Sequence, residues 1–229
     1  MNDNIGPRLS DITLTDPLGT IAAGETSIIP KRNVTHEEIV DPRQQELEFH
    51  TAQILTLLGY SLEDQHFKRT PGRVAEVLLD YRAHDHIAEN VKSILEVQFI
   101  EPYVLDSLVM EGPIRYISRC AHHLEPVDGK AWVAYIPNEA VCGLSKLARV
   151  VHYFAKQLTV QEVVTKQIAD ALENQLKPQG VMIVIEASHG CMQRRGVMEP
   201  SAFTTTSVVK GVFKESATAR NEFLLLKKG

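Results

Sequence analysis

The sequence predicts an α+β fold, and three observations carry that expectation. From Tyr103 onward, short runs rich in β-branched and aromatic residues are separated by Gly-Pro and Asp-Gly turn signals, the texture of an antiparallel sheet. Two stretches of helical periodicity interrupt those runs, one opening near Ser145 and one from about Val160 to Leu176. Val181 to Ala187 is almost wholly apolar, as a buried strand is.

Residues Met1 to about Val34 mix Gly, Pro, Asp, Thr and Ser without periodicity and read as an arm that is mobile or docks on another subunit. Thr35 stands three residues before Glu38 in a capping-box pattern, and Pro42 argues against an uninterrupted helix from there. From Gln44 to Leu58, the residues Leu47, Phe49, Ile54, Leu55 and Leu58 form a helical stripe, and Gly59 is the stop. In the next helix Thr70 is the expected cap and Pro71 the first helical residue, with Val74, Val77 and Leu78 facing inward as far as Tyr81. Arg73 falls in its first turn, where a cation opposes the helix dipole; the placement suits either a task elsewhere or a plain solvent-facing charge.

Strands are expected at Val104 to Met110, Ile114 to Arg119 and Ala131 to Ile136. The first helix after them turns Leu147, Val150, Val151 and Phe154 inward, and the second stops at Pro178–Gly180. The strand Val181 to Ala187 delivers His189 and Cys191 at its end, and Phe203 to Phe213, opening on Thr204, Thr205 and Thr206, reads as a last long strand. No internal repeat or low-complexity tract is present.

The 229 residues suffice for a substantial core, and 44% hydrophobic with 23% charged residues is ordinary for a globular protein. A net charge of -5 argues against bulk attraction to nucleic acid or to an anionic membrane, but a local basic cluster would still hold a small anion. Three cysteines form a sparse, odd set that suits a reduced compartment with thiols free for a metal. The polar first residues, with no long apolar run behind them, predict no signal peptide and a cytoplasmic protein.

The chemistry concentrates in Cys120-Ala121-His122-His123 and in His189-Gly190-Cys191. A thiolate and an imidazole three positions apart close on one metal if the backbone turns between them, and sulfur with nitrogen is a donor set that zinc prefers. A second thiolate from Cys191 would make a Cys2His site with its fourth position open to water, leaving His122 and His189 as candidate proton carriers. Two unrelated cysteines and a surface histidine pair satisfy the same spacing. On an extended backbone Cys120 and His122 share one face and His123 points away, so the set Cys120–His123 requires a bend. Cys142, beside Gly143, reads as a small buried residue.

From Thr70 to Leu224 the sequence resembles GTP cyclohydrolase I. The matching stretches are Thr-Pro-Gly-Arg at 70–73, Cys-Ala-His-His at 120–123, Gly-Lys-Ala-Trp-Val-Ala-Tyr-Ile-Pro at 129–137 and Gly-Leu-Ser-Lys-Leu-Ala-Arg at 143–149. Val-Gln-Glu at 160–162, His-Gly-Cys-Met-Gln-Arg-Arg-Gly at 189–196 and Ala-Arg-Asn-Glu-Phe-Leu at 219–224 complete them, and their joint order makes the likeness specific. The resemblance implies a tunnelling fold (T-fold), an antiparallel sheet with two helices on one face, within residues 103–229. Before it would stand a helical region, 44–102, and the arm, 1–43. It implies a homodecamer of two stacked pentamers with active sites between subunits.

The implied reaction opens the imidazole ring of GTP at C8, releases formate and gives 7,8-dihydroneopterin triphosphate, with Zn2+ on Cys120, His123 and Cys191. The chemistry suits the residues: attack on an aromatic ring carbon needs a strong nucleophile at neutral pH, which zinc provides from water. By resemblance the bend after Cys120 exists, His189 donates the proton to N7, His122 is left unligated to assist ribose ring opening, and Ser145 serves the later ribose rearrangement. Lys146, Arg149, Arg195 and Arg73 match triphosphate-binding positions, Lys and Arg differing as point charge and bidentate fork. Gln161 and Glu162 match substrate-binding positions; Glu162, an acceptor-only carboxylate, suits guanine N1–H and its 2-amino group. Folate, a pterin cofactor and deazapurines all begin from the same product, so the pathway is left open.

The chain also departs from the family. Ala121 replaces the usual Glu of Cys-Glu-His-His, with Glu125 as a nearby carboxylate, and the stretch Gln157-Leu158-Thr159 and Val163 lack two arginines usual there. These departures leave two alternatives: a variant cyclohydrolase that takes another guanine nucleotide or stops at a ring-opened product, and a weakly active, nucleotide-binding regulatory paralogue.

Overall fold

The computed structural model describes residues 41–100 and 107–228. The expected arm, the Thr35–Glu38 capping pattern and the start of the strand expected from Val104 lie outside them.

Helix α1, Pro42–Leu57, opens on Asp41, whose Oδ1 accepts from the Arg43 backbone N–H at 3.0 Å, with Pro42 where its missing N–H costs nothing. It packs against α2, Thr70–Leu79. Thr70 does not cap α2 with its side chain; its hydroxyl donates to the His66 carbonyl at 3.3 Å. Val77, expected inward, is exposed, and the small Ala75 takes the buried place; Phe49, Ile54 and Leu58 of the α1 stripe are exposed too. Two short helices cover only the narrow strip where they touch, so a stripe as wide as that of α1 stays open among the described residues.

Helix α3, Ile87–Leu95, and strand β1, Gln98–Ile100, were not expected. The α3 N-cap is His86 in a left-handed conformation without a side-chain cap, so no capping signal marks its start, although Ile87, Val91, Ile94 and Leu95 recur at helical spacing. Val91 and Leu95 fix it in the main core. β1 pairs antiparallel with β4, Ala140–Cys142.

The main sheet has the order β5-β2-β3-β6-β7, with β2 Val109–Cys120, β3 Pro126–Ile136, β5 Leu158–Thr159, β6 Gly180–His189 and β7 Thr204–Gly211. Its long pairs are antiparallel; only the two-residue β5 runs parallel to β2. The turn expected at Gly112-Pro113 is a register shift inside one continuous β2, between Glu111 and Ile114. Proline lacks the ladder N–H and is tolerated at such irregularities. A Cβ on Gly112 would lie 2.5 Å from the Trp132 ring, so the strand can pass there only without one.

On one face lie α4, Leu144–Ala155, and α5, Gln161–Leu176, burying Leu147, Val150, Val151, Ile168 and Leu172 against Tyr135, Ile183 and Ile185. The other face carries Trp132, Met182 and Val184 under Phe213 of α7, Val212–Glu215, and Phe223 of α8, Ala217–Lys228. Strands covered on both faces read as unbroken apolar runs, which accounts for Val181 to Ala187. The last strand stops at Gly211 rather than Phe213: φ there is +55°, and a Cβ would stand 2.1 Å from the Gln179 carbonyl oxygen. The α8 helix had no sequence signal of its own, because exposed Leu224, Leu225 and Leu226 in a row blur its amphipathic period.

Candidate active site

β2 ends at Cys120, and the chain turns at once. The Cys120 N–H donates to the Glu125 carbonyl at 2.9 Å, the Leu124 N–H donates to the Cys120 carbonyl at 2.8 Å, and Leu124 takes a φ of +55°. The turn brings His123 back over the strand end, with its Nδ1 3.9 Å from the Cys120 sulfur. Cys191 arrives from the other side on α6, Gly190–Gln193, which follows β6 directly, and its sulfur is 3.9 Å from that of Cys120. α6 can come this close because a Cβ on Gly190 would already stand 3.1 Å from both the Glu125 carboxylate and the Pro126 carbonyl.

One ligand atom each from Cys120, His123 and Cys191 thus lies within 4.8 Å of the others. Cys120 is buried, Cys191 half-buried and His123 exposed, so the cluster opens to the outside through its imidazole. Burial first, then the Cys120 sulfur beside it, push the Cys191 thiol above its ordinary range. Two sulfurs and an imidazole nitrogen at this spacing fit a soft or borderline divalent cation, which would also offset the cost of thiolates packed together. His122 Nδ1 is 3.8 Å from the Cys120 sulfur as well. Cys142 is away from the cluster; burial pushes its thiol up to about 11, as an inert core thiol requires.

His189 closes β6 opposite Val127 of β3. Its Nε2 is 2.8 Å from Oε1 of Gln161, the first residue of α5. Burial pushes the imidazole pKa down, and the nearby Glu162 carboxylate works against that shift. The Gln161 amide nitrogen contacts the Ile185 carbonyl, the Thr204 carbonyl and the Thr206 hydroxyl, so the expected substrate-binding side chain is engaged at both ends within the chain. Thr165 and Thr206 in this network carry no local sequence signal, because they meet only when β7 pairs with β6 beside α5.

Glu162 is exposed beside Gln161 and lines a groove between α5 and β7 of about 730 Å³ with Lys166, Thr206 and Lys210. Arg195 is exposed just past α6 and close enough to Cys191 to favour its thiolate. Ser145, Lys146 and Arg149 lie elsewhere, on the first turns of α4. β3 starts beside the Cys-His-Cys cluster and α4 follows its far end, so the length of the eleven-residue strand (roughly 33 Å for ten rises of ~3.3 Å) lies between the ends at which Cys120 and Ser145 of the same chain stand. Arg73 is exposed on α2. Ala121 is exposed in the turn, its N–H 3.3 Å from the Thr159 carbonyl.

The family model for GTP cyclohydrolase I matches residues 47–228. The GTP cyclohydrolase 1 of Bacteroides thetaiotaomicron is 43% identical over 190 residues, covering 83% of this chain and 95% of that protein. That of Gloeobacter violaceus is 44% identical over 171 residues, covering 75% and 78%. That of Aliivibrio fischeri is 37% identical over 215 residues, covering 94% and 95%. With a matched segment that spans every element from α2 to α8, the chain belongs to the GTP cyclohydrolase I family, hydrolases built on the T-fold.

Proposed function

We propose that the chain hydrolyses GTP at C8 with zinc as its cofactor, releases formate and forms 7,8-dihydroneopterin triphosphate. The reading rests above all on the convergence of Cys120, His123 and Cys191 within 4.8 Å, beside a histidine held at the end of β6. Three protein donors and an open position are what a catalytic zinc has. When bound, the ion supplies a water acidified towards neutral pH.

The remaining work belongs to the side chains. His189 carries the proton that N7 receives as the ring opens, and His122, outside the ligand set, assists opening of the ribose. Ser145 serves the rearrangement of the ribose that follows. Glu162 accepts from guanine N1–H and the 2-amino group, a pattern that an adenine N1 lone pair would oppose. Lys146, Arg149, Arg195 and Arg73 hold the triphosphate, the arginines as bidentate forks.

These groups do not meet around one GTP within one chain, because Ser145 and Lys146 sit a strand length from Cys120. Sites shared between subunits of a homodecamer resolve that separation. The same assembly would cover the sheet edge at β7 and the stripe of α1 that stand open among the described residues. Cys120 and Cys191, unbridged with sulfurs 3.9 Å apart, suit the reducing cytoplasm.

The test is the purified protein, analysed for metal and given GTP, with formate and the fluorescence of oxidised neopterin followed together. One zinc per chain with both products supports the reading. Formate without neopterin would mean an enzyme that stops early, and bound GTP without formate would mean a regulator.

A further inference from the structure

We infer that Gln161 is a positioning residue whose amide holds His189 in one tautomer, with the proton on Nε2, so that Nδ1 is the nitrogen that exchanges a proton with substrate. This rests on the reading of His189 as the proton carrier.

Gln161 is 6% exposed at the first position of α5. Its Nε2 lies 3.1 Å from the Ile185 carbonyl oxygen and 3.0 Å from the Thr204 carbonyl oxygen. Backbone carbonyls only accept, so the group facing them has to be the NH2 end; an amide oxygen there would set lone pair against lone pair. Thr206 Oγ1, at 3.1 Å, is consistent with that orientation. The Thr165 hydroxyl donates to the Gln161 carbonyl at 2.7 Å, so the 2.7 Å contact between the two threonines is donated by Thr206. Its oxygen then shares the two Gln161 amide hydrogens with the two carbonyls.

With the amide nitrogen so engaged, the atom facing His189 Nε2 at 2.8 Å is Oε1, which can only accept. The hydrogen therefore sits on Nε2. The carbonyls of β6 and β7 thus set the tautomer of a histidine at the end of β6, through one buried amide. Such hydrogen bonds behind a working imidazole fix its ring orientation and which nitrogen is bare. Among the described residues His189 Nδ1 makes no hydrogen bond, so it is the ring atom left for a ligand. Gln161 is only 6% exposed, its amide nitrogen already faces three acceptors and its oxygen faces His189, so the arrangement assigns the side chain to His189.

Gln161→Met keeps the length of the side chain and removes both donor and acceptor. On zinc-loaded protein with GTP, zinc content and KM should match wild type while kcat falls by roughly 10–100-fold, the scale for a supporting hydrogen bond behind a catalytic group. In a His189→Ala background the same substitution should cost less than about 2-fold more, because both act on one step. Independently of turnover, the nitrogen-15 NMR difference between wild type and His189→Ala at alkaline pH should show a protonated Nε2 and a bare Nδ1. In Gln161→Met the difference should show a mixture of tautomers.

A raised KM with unchanged kcat in Gln161→Met would overturn the inference and return Gln161 to the nucleotide, and equal losses in both backgrounds would overturn it as well. If Gln161→Met fails to fold, the nitrogen-15 difference between wild type and His189→Ala decides alone: a protonated Nε2 with a bare Nδ1 supports the inference, and a bare Nε2 or a mixture of tautomers refutes it. A His189→Ala protein as fast as wild type would instead remove the proton-carrier reading itself. Loss in His189→Ala without loss in Gln161→Met would remove only the role of Gln161.

Discussion

The sulfurs of Cys120 and Cys191 face each other across 3.9 Å, and serine at either position trades a soft thiolate for a hydroxyl that zinc binds poorly. Cys120→Ser and Cys191→Ser should each abolish metal binding and turnover while assembly size by light scattering is kept; full zinc occupancy in either would break the ligand assignment. Glu162→Gln replaces an exposed carboxylate with an amide of the same shape, so one guanine contact becomes donor against donor. GTP binding measured calorimetrically should weaken by at least about 10-fold, from a lost charge-assisted bond. Ala121→Glu restores the usual residue of the motif at an exposed position whose backbone N–H faces the Thr159 carbonyl. Turnover should stay within a few-fold and zinc affinity should not change; a large gain in neopterin would mean a pocket tuned around the alanine. The residue types of this site were legible because thiol and imidazole spacing is a local pattern. Which imidazole folds back was not, since it depends on the turn closed by Glu125 and Leu124.

Along α5, Asp170 accepts from Lys166 and Lys210, and Lys210 also reaches Glu173, tying the helix to β7 beside the groove. Burial works to raise the Asp170 pKa, but the hydrogen bonds from Lys166 and Lys210 outweigh it and hold the carboxyl below its ordinary range. A depressed folded value contributes stability above the unfolded pKa of about 4, and that contribution is lost as pH falls through the folded value. Asp170→Asn should therefore melt below wild type at neutral pH, with the gap closing in acid; a gap that persists in acid would point to packing rather than charge. The helices α4 and α5 and the strand β6 were readable within a residue or two, since each buries a regular face. Helix α3 lacks a capping signal, α8 has exposed leucines in sequence, and β2 runs through a Gly-Pro that reads as a turn. Each was settled by a tertiary partner rather than by propensity.

The described residues place the two groups of expected site residues at opposite ends of one sheet. Cys120, Cys191, His189 and Glu162 gather at one end, and Ser145 and Lys146 at the other. If active sites form between subunits, Lys146→Ala and Cys120→Ser chains, each inactive alone, should recover part of the wild-type rate when dissociated together and reassembled. Reassembled mixtures as inactive as their parents would place all the residues of a site on one chain. By itself the sequence determined the chemistry on offer, a Cys-Cys-His set with spare histidines, carboxylates and basic groups, together with the main helices and strands. Those follow from side-chain type and from periods of two and 3.6 residues, which are local. Only the tertiary structure decided that Gln161 faces His189 and that Ser145 stands a strand away from Cys120. Both follow from the pairing of strands far apart in the chain, and local periodicity does not encode that register.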